Sequence, residues 1–304
     1  MKPAEELLNV CTFPAAGEVD LAVSGGPDSL GLLLLALEAG LSVTVHHVDH
    51  HARPASTADA KFVVTVGASF AVPVVVHDIE VAPGANFEAR ARSERRRVLP
   101  PGCLTGHTMD DLAETVLLNM IRGAGLDGLS PLVNDPTKPM VRLRRSDVAA
   151  LVAERGLIAR HDESNDDFSY RRNRVRHQLM PLLAEIADRD VVPLLARQAH
   201  VLYDDRSWLD FLVEEDASYA LDEVDCRVLR EWPRARLRRW LRTQLGVVDE
   251  LGEPHPPSSA EIERALRVVD GEVTAAELQG GRRLSRSAQR LALEGGSTTL
   301  TNHG

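Results

Sequence analysis

The chain has 304 residues, 44% of them hydrophobic but only 4% aromatic, so it is long enough for one large aliphatic core and a smaller second one. Its formal charge of −10 argues against a uniformly basic nucleic-acid binder, and its three cysteines, Cys11, Cys103 and Cys226, stand too far apart for a metal-binding pair. The start, Met1-Lys-Pro-Ala-Glu-Glu6, carries no long apolar run; neither a signal peptide nor a membrane span is expected, and a cytoplasmic address follows.

In chain order, apolar runs at 19–24, 42–48, 72–79 and 103–106 read as strands. Between them, 28–39, 56–70, 86–99 and 109–122 read as helices. That alternation predicts an α/β doubly wound parallel sheet, with ligands beyond the carboxyl ends of its strands. A Gly- and Pro-containing loop follows at 123–139, then helices at 146–155 and 173–187. The segment 188–215 reads as a long helix broken at Pro193, 247–259 as a loop, 260–269 as a helix, and 276–293 as short strands. We therefore expect a catalytic domain over 1–187 and a smaller, mainly helical region over 188–304.

The first strand runs into Ser24-Gly-Gly-Pro-Asp-Ser29. Gly25 and Gly26 let the backbone turn sharply and offer N–H groups to phosphate, Ser24 and Ser29 add hydroxyls, and the following helix points its positive end at the same place. No Lys follows the glycines, and the spacing is not Gly-x-Gly-x-x-Gly, so neither common nucleotide loop fits. The turn resembles the PP-loop of the ATP pyrophosphatases that cleave ATP between the α and β phosphates.

Three further clusters follow strands or helix starts. In Val45-His-His-Val-Asp-His-His-Ala-Arg-Pro54, Asp49 and His50 fall just past a strand end, within reach of a nucleotide. In Thr105-Gly-His-Thr-Met-Asp-Asp-Leu-Ala-Glu-Thr115, Asp110 and Glu114 share a helix face beside His107 and Asp111, a group able to hold Mg²⁺ against phosphates or to grip an ammonium. The same pattern would also serve as an acidic first turn favoured by the helix dipole. The segment 168–181 holds Arg171, Arg172, Arg174 and Arg176 with no acid, as a phosphate-contacting helix entry requires. A second arginine cluster, 227–242, is equally consistent with RNA contact and with an exposed helix; lysine occurs only at positions 2, 61 and 138.

Together these motifs, with Asn86-Phe-Glu-Ala-Arg90, Arg92, Arg95 and Arg122-Gly-Ala-Gly-Leu-Asp-Gly-Leu129, resemble the tRNA(Ile)-lysidine synthetase family, densely over 21–183. The chain departs from the family pattern at Leu112, His51, Arg96 and Glu163. The resemblance implies that ATP adenylates the C2 oxygen of the first anticodon cytidine of a CAU tRNA(Ile), and that free L-lysine then displaces AMP. It implies ATP binding by Ser24, Gly25, Gly26, Pro27, Asp28, Ser29, Asp49 and His50, with Mg²⁺ on Asp28. It implies catalytic roles for Asp28, Arg92 and Arg95, and lysine binding by His107, Asp110, Asp111 and Glu114. Arg122, Arg171, Arg172, Asn173, Arg174 and Arg176 are the expected tRNA contacts, and a homodimer is compatible with the family. A tRNA thiolase is the nearest rival, and it is disfavoured because the chain has no cysteine pair. An ATP-sensing adaptor would have no reason to keep the His107 to Glu114 group, and a small-molecule synthetase none for the arginine-rich 162–181.

Overall fold

The structure is a computed structural model. It describes residues 2–49, 56–79, 87–160, 166–214, 216, 219–248 and 254–295. In chain order its elements are α1 (Ala4–Leu8), β1 (Glu18–Ala22), α2 (Pro27–Glu38), β2 (Ser42–Asp49), α3 (Ser56–Ser69), β3 (Val74–Asp78), α4 (Phe87–Val98), β4 (Leu104–Thr105) and α5 (Met109–Ile121). There follow α6 (Leu126–Leu129), α7 (Arg145–Glu154), α8 (Arg171–Arg174), a π-helical turn (Val175–Leu179), α9 (Met180–Ala187) and α10 (Val192–Leu212). The remainder comprises α11 (Cys226–Glu231), α12 (Arg234–Leu245), β5 (Val247–Val248), β6 (Pro254–His255), α13 (Ser259–Asp270), β7 (Ala275–Glu277), β8 (Arg283–Ser287) and β9 (Arg290–Glu294).

Two compact units result: Met1–Leu118 with Ser130–Ala199, and Asn119–Leu129 with His200–Gly304. The first is built on a parallel sheet in the order β3-β2-β1-β4, as the strand and helix alternation predicts. Successive crossovers move from β1 to β2 to β3, then the chain returns to the far side of β1 to add β4. The resulting switch point lies between β1 and β4, where a crevice opens beyond the strand ends. α2 is apolar nearly all round, with Leu30, Leu32, Leu33, Leu34 and Leu35 buried, because it lies inside the core rather than on its surface. Leu21, Val43 and Val45 of the sheet and Val23 just beyond β1 belong to the same core, joined by Val148, Leu151 and Val152 of α7. A smaller cluster of Ala113, Leu117, Val175, Met180, Val191 and Val192 ties α5 to the segment from α8 to α10.

The predicted helix 173–187 differs in detail. It begins at Arg171 and contains a π-helical turn before continuing as α9, which ends at Asp188 in the left-handed conformation, φ 52°. Pro193 does not break the next helix. It stands in the first turn of α10, where no preceding carbonyl needs its missing N–H.

The second unit packs Leu237, Trp240, Leu241 and Leu245 of α12 against Ile262, Leu266 and Val269 of α13 and the antiparallel sheet β7-β8-β9. Ser258 and Glu261 form a capping box at the start of α13, and Gly271 closes it at φ 86°. The loop predicted over 247–259 contains one short antiparallel pairing, β5 with β6.

Candidate active site

At the switch point the chain leaves β1 through Ser24 and Gly25, the latter at φ 89°, a conformation that favours glycine. Ser24 and Ser29 bring their hydroxyls within 3.2 Å of each other. The Ser24 N–H donates to Ser29 Oγ at 3.2 Å, and Ser29 Oγ donates to the Gly26 carbonyl at 2.9 Å. Gly26 is the N-cap of α2 and supplies no side-chain cap, so the first-turn N–H groups of a helix buried over Ser29–Ala36 stand ready for an anion. Pro27, at the helix start, needs no such partner.

Gly106, just past β4, seals the opposite wall. A Cβ on Gly106 would lie 2.6 Å from the Asp28 carbonyl oxygen and 3.1 Å from the Ser29 nitrogen, so only glycine lets the two loops touch. Asp49 is buried at the tip of β2, where its carbonyl accepts from the Ile79 N–H at 2.9 Å. His50 and the Arg92 side chain lie outside the described residues. His47 is a core histidine whose Nδ1 meets the Val23 carbonyl at 2.8 Å; His46 links Asp20, at 2.8 Å, to His77, at 2.9 Å.

Beside the cradle, α2, α5, α7, α8 and the π-helical turn deliver three carboxylates and three guanidiniums to one place. Arg145, the first residue of α7, donates to Asp28 Oδ2 at 3.2 Å, Asp111 Oδ1 at 2.8 Å and Glu114 Oε1 at 3.0 Å. Arg172 donates to Glu114 Oε2 at 3.1 Å and to Asp111 Oδ1 at 2.9 Å. Arg176, one turn further along, grips Glu114 at both oxygens, 2.7 and 3.0 Å. Asp111 Oδ2 also receives the Thr108 N–H at 2.8 Å and hydroxyl at 2.9 Å. Burial opposes ionisation of Asp111, but Arg145 and Arg172 outweigh it and hold the carboxyl down to about 2. Glu114 is lowered in the same way, its burial outweighed by Arg176 and Arg145.

Asp28 behaves differently. Burial is the largest influence and Asp111 adds to it, so that even with Arg145 alongside its carboxyl is pushed up to about 6. Its Oδ1 is buried without a hydrogen-bond partner. An anionic oxygen so placed, next to the glycine turn at the start of α2, fits a hard cation. Among the described residues no three His, Cys, Asp or Glu side chains are grouped to hold a metal by themselves, so phosphate oxygens would have to complete the shell.

The expected amino-acid group is therefore split. Asp111 and Glu114 meet within the guanidinium cluster, whereas Asp110 turns to Arg144, at 3.2 Å to each oxygen, and to the Arg145 N–H at 2.8 Å. His107 Nδ1 meets the Thr105 hydroxyl at 2.8 Å. Of the expected RNA contacts, Arg172 and Arg176 turn inward, Asn173 is buried and donates to the Asp167 carbonyl at 2.9 Å, and Arg171 and Arg174 are exposed. Arg95 is exposed on α4, and exposed Arg122 belongs to the second unit.

Sequence reasoning missed Arg144 and Arg145. Their signal is the acid-free run Lys138-Pro-Met-Val-Arg-Leu-Arg-Arg-Ser146 directly before a helix. In the second unit the arginine cluster is consumed internally. Arg227 pairs with Asp225, Arg234 with Asp270, Arg236 with Asp216, Arg238 with Glu263, Arg239 with Asp127 and Asp210, and Arg242 with Asp127.

A family model described as a PP-loop domain matches residues 2–183. A tRNA(Ile)-lysidine synthase of Nocardia farcinica is 34% identical over 281 residues, covering 88% of this chain and 85% of the relative. That of Gloeobacter violaceus is 36% identical over 272 residues, covering 81% and 82%. Among solved structures, a U34-tRNA thiolase from Methanococcus maripaludis with its 4Fe-4S cluster aligns with a TM-score of 0.53 at 16% identity, over 66% of this chain and 76% of that one. At that identity the likeness concerns the fold.

Proposed function

The chain belongs to the tRNA(Ile)-lysidine synthase family, and we propose that it joins free lysine to C2 of the first anticodon cytidine of a CAU tRNA(Ile), consuming ATP and releasing PPi and AMP. The observation that carries this reading is Arg145, which ties Asp28 of the phosphate cradle directly to Asp111 and Glu114. ATP end and amino-acid end then form one site.

In the first step the cytidine C2 oxygen bonds to the α-phosphorus and PPi leaves. Ser24, Gly25, Gly26 and Ser29 hold the leaving phosphates through N–H and hydroxyl donors, with Pro27 setting the start of the helix, while Asp49 and His50 are assigned to the nucleotide. Asp28, whose Oδ1 is buried without a hydrogen-bond partner, would hold Mg²⁺, which would offset phosphate charge. Arg92 or Arg95 is assigned to the charge that develops at the α-phosphate. In the second step the lysine amine attacks C2, loses its proton, and AMP departs with the former C2 oxygen. Asp111 and Glu114, helped by His107 and Asp110, orient the amino acid. Arg171, Arg172, Asn173, Arg174 and Arg176, with Arg122, are assigned to the tRNA. We assign catalysis and these tRNA contacts to residues 1–187 and further RNA binding to 188–304. The reaction is placed in the cytoplasm and, on family resemblance alone, in a homodimer.

The test is incorporation of radiolabelled lysine into an unmodified CAU tRNA(Ile) transcript with ATP and Mg²⁺, against a transcript whose anticodon cytidine is uridine. Label in the first transcript alone is expected. PPi release without lysine incorporation would keep the adenylating chemistry and discard the lysine.

A further inference from the structure

The carboxylates assigned to lysine have no room for it as they stand. A carboxylate offers about four acceptor positions. Glu114 already accepts four hydrogen bonds, two from Arg176, one from Arg145 and one from Arg172. Asp111 accepts four as well, from Arg145, Arg172, and the Thr108 N–H and hydroxyl. Charge is balanced too, since Asp28, Asp111 and Glu114 face Arg145, Arg172 and Arg176. A further cation entering such a site would be an uncompensated charge in partly buried surroundings. One guanidinium must leave when an ammonium arrives.

The three arginines are not equivalent. Arg145 is anchored at the start of α7 and holds Asp28 as well, so its departure would break the link to the cradle. Arg176 gives both its hydrogen bonds to Glu114 and meets Asp111 Oδ1 only as an ion pair at 3.5 Å, so its loss would free no hydrogen-bond acceptor on Asp111. Arg172 alone frees one acceptor on each carboxylate without disturbing Asp28. It is also the most exposed, with 31% of its side chain accessible against 24% for Arg145 and 23% for Arg176. An ammonium, with three donors, can occupy both vacated positions. The residue sits on a four-residue helix that runs into a π-helical turn, a break in regular backbone hydrogen bonding that often marks functional segments.

We propose that Arg172 is a resident placeholder for the substrate ammonium: it neutralises Asp111 and Glu114 in the empty enzyme and exchanges with the lysine amino group. This rests on the assignment of those two carboxylates to lysine. Once displaced, the Arg172 guanidinium is free to bind phosphate, for which its fork is suited. Lysine and the phosphate-bearing substrates then favour each other's binding, reciprocally, because each stabilises the same displaced arginine.

The experiment is calorimetric titration of L-lysine into the full chain and into Arg172→Ala, each alone and with unmodified tRNA transcript plus a non-hydrolysable ATP analogue. Alone, the variant should bind lysine at least about tenfold more tightly than the parent, because two charge-assisted hydrogen bonds no longer have to be broken. Adding tRNA and nucleotide should tighten lysine binding to the parent and leave the variant unchanged. Equal or weaker lysine binding by the variant would overturn the exchange. A second readout needs no variant: lysine should increase labelling of Arg172 by phenylglyoxal, read by peptide mass spectrometry, and unchanged or reduced labelling counts against the proposal. Parent enzyme that incorporates lysine yet fails both tests retains its proposed function and loses only the exchange; parent enzyme that neither binds nor incorporates lysine loses both.

Discussion

Asp28 shows how a single side chain can be costly to the fold and necessary to the chemistry. Its carboxyl titrates near 3.8 in an unfolded chain and is pushed up to about 6 in the folded one. The folded state therefore binds the proton more tightly, so the contribution of this group to stability is best at low pH and falls as pH rises from about 4 through about 6. Asp111 has the opposite sign: held down to about 2, it contributes stability above pH 4 that is lost as the pH falls toward 2. We predict that Asp28→Asn abolishes ATP turnover yet raises the unfolding free energy at pH 7.5 by up to about 3 kcal/mol, the span of that shift. The gain should vanish near pH 4. Thermal unfolding from pH 4 to 8 measures it, and a variant less stable than the parent at pH 7.5 would refute the account.

The same residue scale governs Glu114, which is 2% exposed and bound by three guanidiniums. Glu114→Ala leaves those charges without their partner and should cost about 3–5 kcal/mol. Glu114→Gln keeps the shape and two of the acceptor positions. In Glu114→Gln we expect PPi release in the presence of tRNA to continue while KM for lysine rises at least about tenfold, the worth of one charge-assisted hydrogen bond. Steady-state kinetics with lysine varied checks this, and an unchanged KM would move the amino-acid site elsewhere.

At the scale of elements, Gly106 joins β4 to α5 by letting its backbone lie against Asp28 and Ser29. In Gly106→Ala the added carbon meets backbone rather than a flexible side chain, so the cradle itself has to shift. A destabilisation of about 1–3 kcal/mol and a higher KM for ATP are expected, measured by denaturant unfolding and PPi release. These elements were legible because their signals are local. The four parallel strands are short apolar runs, α2 is an apolar helix behind two glycines, and the phosphate turn sits where one becomes the other. What was not legible depends on partners distant in the chain. Arg145 lies 117 residues from Asp28, and nothing in its own neighbourhood says that it bridges the cradle to α5. The π-helical turn at Val175–Leu179 is equally silent, since a sequence written with helical spacing does not reveal one extra residue per turn. Pro193 misled because proline reads as a breaker wherever the helix start is unknown.

Over the whole molecule, a charge of −10 on a protein that acts on RNA requires that positive charge be available only in places. Among the described residues many arginines are spent internally. Those of α12 are paired with Asp216, Asp270, Glu263, Asp127 and Asp210, and Arg172 and Arg176 with Asp111 and Glu114. Arg171 and Arg174, by contrast, are exposed in an acid-free stretch, and the Arg174 guanidinium donates to a neutral partner, Gln178 Oε1, at 3.3 Å. An arginine already paired gives up its partner before it can meet a phosphate, so it contributes little net affinity, whereas an exposed one releases counterions directly. We therefore predict that Arg171→Gln and Arg174→Gln each weaken tRNA binding at low salt and reduce the slope of log K against log salt by about 0.7–0.9 for every phosphate left without its arginine. Arg238→Gln, whose partner is Glu263, should leave both affinity and slope unchanged. Filter binding over a salt series distinguishes the two classes. If Arg238→Gln flattened the slope as much as Arg174→Gln, pairing within the protein would not decide which arginines meet RNA, and the whole of α12 would have to be counted in the RNA-binding surface.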